Sequence, residues 1–214
     1  LTLKDSDPGT THKFTPNAEG LWVWDETNGT RIVKGGVITG GKATAGGGVL
    51  VDGGTFSMSG GSIVGCAATV MNGGGVRVSG GRSGRFDMIG GSIVGCTANK
   101  GSGGGIYNAG TTTLSGDAKI KGCKAGGGGG IYSDYFADAL NINDVQITGC
   151  TARDDASSAM YAAAGTTISG GTFEGNVDNG GAISGGAFNG AVTNAGTINN
   201  GAFNGAVTNA GTIE

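Results

Sequence analysis

Apolar residues fall at alternate positions in short runs such as VLV, FSMS, SIV and TTTLS, and glycine or asparagine cuts each run off. A period of two marks half-buried strands. No segment holds a 3.6-residue period, and glycine at this density costs a helix interior about 1 kcal/mol per residue. The runs recur on a fixed beat. An aliphatic or aromatic residue followed three places later by a small one appears at Ile38/Gly41, Ile63/Cys66, Ile93/Cys96, Ile120/Cys123, Ile147/Cys150, Phe173/Asn176, Phe188/Ala191 and Phe203/Ala206. The spacings are 25, 30, 27, 27, 26, 15 and 15 residues.

A second landmark keeps the same time: GGGVL from Gly46, GGGVR from Gly73, GGGIY from Gly103 and Gly128, SSAMY from Ser157 and NGGAI from Asn179. Short strands, glycine bends and a repeat of this length predict an all-β, right-handed parallel β-helix with about three strands per coil. Coils would stack about 4.8 Å apart, with Val49, Val51, Phe56, Met58 and Ile63 inward. Three regions are expected. Residues 1–45 form a cap and first coil, with a hairpin holding Trp22 and Trp24. Residues 46–170 form coils of 25–30 residues, and residues 171–214 form 15-residue units that are narrower coils or half-coils.

Composition narrows the class. Among 214 residues there are 50 glycines but no Gly-X-Y period, which excludes collagen. With 37% apolar and 14% charged residues there is material for a core. A net charge of −3 offers no basic stripe for nucleic acid, and no apolar run is long enough to span a membrane. The first residues lack a signal-peptide layout, and the chain reads as a piece of a longer polypeptide.

Cys66, Cys96, Cys123 and Cys150 occupy one rung position, which elsewhere holds Gly41, Asn176, Ala191 or Ala206. Residues in a line along a solenoid cannot converge on one metal ion. The leading reading is a structural ladder of free, buried thiols that fit because they are small, with Asn176 continuing it. One or two disulfides between stacked neighbours are the alternative. No metal or cofactor is expected.

Catalysis on this fold needs acids or bases recurring in register. The outward position after each anchor holds Val64, Val94, Lys121, Thr148, Glu174, Asn189 and Asn204. Asp154-Asp155 falls in an insertion; Arg82, Arg85 and Asp87 fall in another and pair with one another or with water. His12, the only histidine, is remote from the cysteines. One column differs. Outward positions of the GGG strand read Leu50, Arg77, Tyr107, Tyr132, Tyr161 and then Ser184, so Tyr107, Tyr132 and Tyr161 are expected to stack into an exposed stripe able to bind sugar rings or peptides. Tyr135-Phe136 lies just beyond it. The competing reading is that tyrosine simply suits strands.

The segments GGGVLVDGGTFSMSGGSIVGCAAT and GGGIYNAGTTTLSGDAKIKGC resemble glycine-rich β-helix repeats of large surface proteins from Gram-positive gut bacteria. LTLKDSD and WVWDETNGTRIVKGGVITGG resemble the lead-in such repeats carry. Phe173-Glu174-Gly175-Asn176 with Gly180-Gly181-Ala182-Ile183 is similar to motifs of chlamydial polymorphic outer-membrane proteins, although cysteine holds the asparagine position in the longer coils. The resemblance implies a secreted, surface-attached module, structural or adhesive, whose partners would be a host glycan, mucin or surface protein. A carbohydrate-active β-helix enzyme and a passive spacer are the alternatives.

Overall fold

The computed structural model describes residues 14–16, 22–24, 36–80, 84–153 and 157–214. Among these residues there is no helix, and the chain winds as a parallel β-solenoid with three parallel sheets. Phe14–Pro16 and Trp22–Trp24 pair antiparallel as a separate two-stranded ribbon, with Phe14 opposite Trp24. The capping role expected of the two tryptophan side chains falls outside the described residues, as do His12, Arg82 and Asp154-Asp155.

Each sheet collects one part of successive coils. A five-stranded corner sheet stacks Lys42–Ala43, Ala67–Ala68, Thr97–Ala98, Lys124–Ala125 and Thr151–Ala152. An eight-stranded sheet runs from Val49–Val51 through Val76–Val78, Ile106–Asn108, Ile131–Ser133, Met160–Ala162, Val177–Asn179 and Val192–Asn194 to Val207–Asn209. The fourteen-stranded sheet is bent. The long strands Thr55–Val64 and Arg85–Val94 traverse both of its halves, with a register shift after Met58, while later coils break at the bend.

Identical side-chain types fall in line because parallel pairing repeats the same position coil after coil. Ile38, Ile63, Ile93, Ile120 and Ile147 form one inner ladder, which Phe173, Phe188 and Phe203 continue. Phe173 and Phe188 stack at 4.8 Å and 3°, Phe188 and Phe203 at 5.0 Å and 8°. The five residues expected inward in the first complete coil are all buried.

The 15-residue units are closed coils, not half-coils. Val177, Val192 and Val207 pair in register, as do Phe173, Phe188 and Phe203, and Ile183, Ile198 and Ile213. What they lack is the corner strand and the glycine bend after it. Nine residues lie between Cys150 and Met160, whereas Asn176 leads directly into Val177. This corrects the second landmark at its last position. NGGAI does not continue the GGG strand; Ala182 and Ile183 pair with Thr167 and Ile168 in the bent sheet. The placement of Arg85 and Asp87 also differs from expectation, although their pairing with each other does not. They lie in the strand Arg85–Val94, opposite Thr55 and Ser57, and bond each other at 2.7 Å.

Candidate functional site: an aromatic column on the eight-stranded sheet

The two landmarks keep time because they touch. A β-carbon built on Gly75 would lie 2.7 Å from Ile93 Cγ2, 2.7 Å from the Gly105 carbonyl oxygen and 3.4 Å from Cys96 Sγ. Gly48, Gly105 and Gly130 meet the isoleucine and cysteine of their own coils in the same way. The third glycine of each GGG therefore leaves the space that the Ile and Cys fill. All four cysteines are free and buried. Each thiol points at two carbonyls, that of the residue two before it and that of the isoleucine one coil back; for Cys96 these are Val94 at 3.5 Å and Ile63 at 3.6 Å.

Burial pushes the Cys66 thiol up. Cys123 is driven up further by hydrogen bonding to Cys150 and Cys96 on either side and then by burial. Neither thiol is made nucleophilic by this setting. Asn176 stands at the corresponding corner of its coil but is half-buried, and its amide oxygen accepts the Ala191 N–H at 2.9 Å. The buried thiol ladder ends at Cys150. Among the described residues no group of three or more His, Cys, Asp or Glu could hold a metal ion.

The eight-stranded sheet carries the column singled out in the sequence. Its outward register reads Leu50, Arg77, Tyr107, Tyr132, Tyr161, Asp178, Thr193 and Thr208. Asp178, not Ser184, follows Tyr161, because the narrow coil presents Val177–Asn179 to this sheet. Tyr107 and Tyr132 stack at 5.6 Å and 7°, and Tyr132 and Tyr161 at 4.6 Å and 13°.

The three rings are not equally open. Tyr107 is only 7% exposed. The Arg77 guanidinium covers it from one side, 5.7 Å from the ring centroid, and its hydroxyl donates to the Asp134 carboxylate. Burial, then that bond, raises the Tyr107 phenol above its usual range. Tyr132 and Tyr161 are half-buried. Tyr132 is also pushed up, first by burial and then by Tyr161, Asp134 and Asp178, so both carboxylates lie within electrostatic reach of its ring. The expected stripe is present as a stack, with its open part confined to Tyr132 and Tyr161.

Asp134 has a second task. Its other carboxylate oxygen accepts the Phe136 N–H at 3.1 Å, and its carbonyl accepts the Ala137 N–H at 3.0 Å. This tight turn projects Tyr135 and Phe136, 78% and 81% exposed, in an edge-on pair 5.4 Å apart. At the end of the column, Asp178 is half-buried and its carboxyl is raised by desolvation. It has neither a hydrogen-bond nor an ion-pair partner among the described residues.

An interior feature went unread in the sequence. Asn179 Nδ2 donates to Asn194 Oδ1 at 2.7 Å, and Asn194 Nδ2 donates to Asn209 Oδ1 at 2.7 Å. Each Nδ2 also donates to the carbonyl two residues on, which closes the bend after the strand. The signal was the recurring Asn-Ala-Gly-Thr at Asn108, Asn194 and Asn209. In the first of these, Asn108 bonds Thr112 Oγ1 and the Ala139 carbonyl, both at 2.9 Å.

Fold and surface together define a β-solenoid with inner Ile, Phe, Cys and Asn ladders and one outer tyrosine column. Comparison with protein-family models, curated proteins and solved structures finds no match.

Proposed function

We propose that this chain is an extracellular structural and adhesive module of a bacterial cell-surface protein, non-catalytic, which engages a host glycan or surface protein through its tyrosine column. The observation that carries the reading is the half-open Tyr132–Tyr161 stack. A spacer needs only inward ladders. Aromatic residues on the outward side of three consecutive strands supply flat apolar area with a polar rim, the combination that takes sugar rings and peptide side chains. The non-catalytic part is supported by the column after the anchors, where valine, lysine, threonine, glutamate and asparagine follow one another without a recurring acid pair.

The test is a binding screen over immobilised glycans, mucin and host surface proteins, using the chain and a Tyr132→Ala/Tyr161→Ala variant. Binding by the chain, lost in a variant that retains its cooperative unfolding, is the expected result. Equal binding by both, or by neither, overturns the adhesive reading, and release of sugar ends from any polysaccharide overturns the non-catalytic one.

A further inference from the structure

The column has unlike ends. At one, Arg77 lies over the Tyr107 ring, so this molecule already uses a guanidinium to close an aromatic face. At the other, Tyr161 pairs in register with Asp178, whose side chain is shorter than a phenol by a whole ring. No described ring stacks on that side of Tyr161, and Asp178 has no partner of opposite charge among the described residues. The ladder therefore repeats an aromatic face at both ends but supplies a cation at only one.

From this pairing of a half-buried tyrosine face that no described ring covers with an unpartnered carboxylate one strand away, we infer that the Tyr161–Asp178 end takes an arginine side chain from a protein partner. The inference rests on the adhesive reading of the column and names the partner chemistry. A guanidinium fits both halves of the site. It lies flat on a ring with cation–π attraction, and its edge matches a carboxylate with two parallel hydrogen bonds. An ammonium offers the charge without the plane. A neutral sugar would satisfy the ring but leave Asp178 desolvated without a counter-charge, a cost that disfavours it. Asp134, beside the stack, adds negative potential over the neighbouring Tyr132 ring.

The probe is a short capped peptide, Gly-Arg-Gly-Arg-Gly, titrated against the chain and followed by the chemical shifts of the tyrosine rings. Its citrulline counterpart, equal in shape but uncharged, is the control. The arginine peptide is expected to bind and move the Tyr161 ring signals. Citrulline, Asp178→Asn and Tyr161→Ala should each weaken binding about fivefold or more. No arginine-peptide binding, equal citrulline affinity or indifference to Asp178→Asn each overturns the inference. The adhesive reading fails separately. A neutral glycan bound through Tyr132 and Tyr161 but unaffected by Asp178→Asn would leave it standing while removing the arginine site.

Discussion

Tyr132 and Tyr161 lie 4.6 Å apart, a full ångström closer than the 5.6 Å between Tyr107 and Tyr132. The wider gap belongs to the ring that is held elsewhere, by Asp134 at its hydroxyl and Arg77 over its face. The column is thus an anchored ring carrying two freer ones.

That anchoring has a titration signature. Burial and the Asp134 bond raise the Tyr107 phenol in the folded state above its unfolded value of 10.0. The stability it contributes is whole below that value and is lost as pH rises through the folded one. In a spectrophotometric titration some phenols should ionise late, and Tyr107→Phe should delete the latest fraction. The variant should also lose about 1 kcal/mol at neutral pH, as expected for one internal hydrogen bond. A titration unchanged by Tyr107→Phe would contradict the assignment.

Two glycines of the same coil are required for different reasons. Gly95 has φ 62° with nothing within 4 Å of a built β-carbon, so only backbone conformation constrains it. Gly95→Asn should therefore be milder than Gly95→Ala, which costs about 1–2 kcal/mol, because asparagine visits the left-handed region more readily. Gly75 faces the opposite limit, a backbone carbonyl and Ile93 at 2.7 Å. Gly75→Ala should cost about 1–3 kcal/mol through overpacking, and Gly75→Asn should be worse. Denaturant midpoints for the four variants check the crossed order.

The thiol ladder predicts silence. All four thiols are buried, so the folded chain should resist a thiol-specific disulfide reagent near neutral pH. All four should react once guanidinium unfolds it. Rapid reaction of the native chain would show that the ladder opens. Cys96→Val should destabilise more than Cys96→Ala, because the added methyl groups press on the space that Gly75 leaves.

In the asparagine ladder the direction of donation matters. Asn194→Asp keeps the oxygen that Asn179 needs but loses the donor that serves Asn209 Oδ1 and the Gly196 carbonyl. It also buries a charge, so the loss at about pH 7 should reach about 3 kcal/mol or more. Desolvation raises the introduced carboxyl's folded pKa. The penalty should shrink as pH falls toward about 3, where the neutral acid can donate one bond. Thermal unfolding at the two pH values measures it, and a pH-independent loss would contradict the geometry.

The inner ladders were legible because burial enforces repetition. Ile63, Ile93, Ile120 and Ile147 share one environment, so stacking writes itself into the sequence as a period. Surface positions escape this discipline. Asp178 was missed as the neighbour of Tyr161 because the narrow coils drop the corner strand, and the sequence marks that deletion only as a shift from 26 to 15 residues. The openness of the tyrosine column was equally hidden. Whether Tyr107 lies bare depends on Arg77 one coil back and Asp134 in a turn two residues past Tyr132, contacts that no period records. The asparagines were visible but read only as the ends of strand runs, because polar side chains inside a core are legible only when their partners are known.

The stretch from Gly186 to Ile198 returns verbatim from Gly201 to Ile213, and each of its strand residues pairs with its own copy in the next turn. A unit whose lateral neighbours are itself carries its own template. Copying one in the gene would add a phenylalanine, a valine, an asparagine and an isoleucine to four existing stacks and lengthen the rod by about 4.8 Å, without repacking elsewhere. Reach, in such a molecule, is a quantity that replication errors can tune one turn at a time.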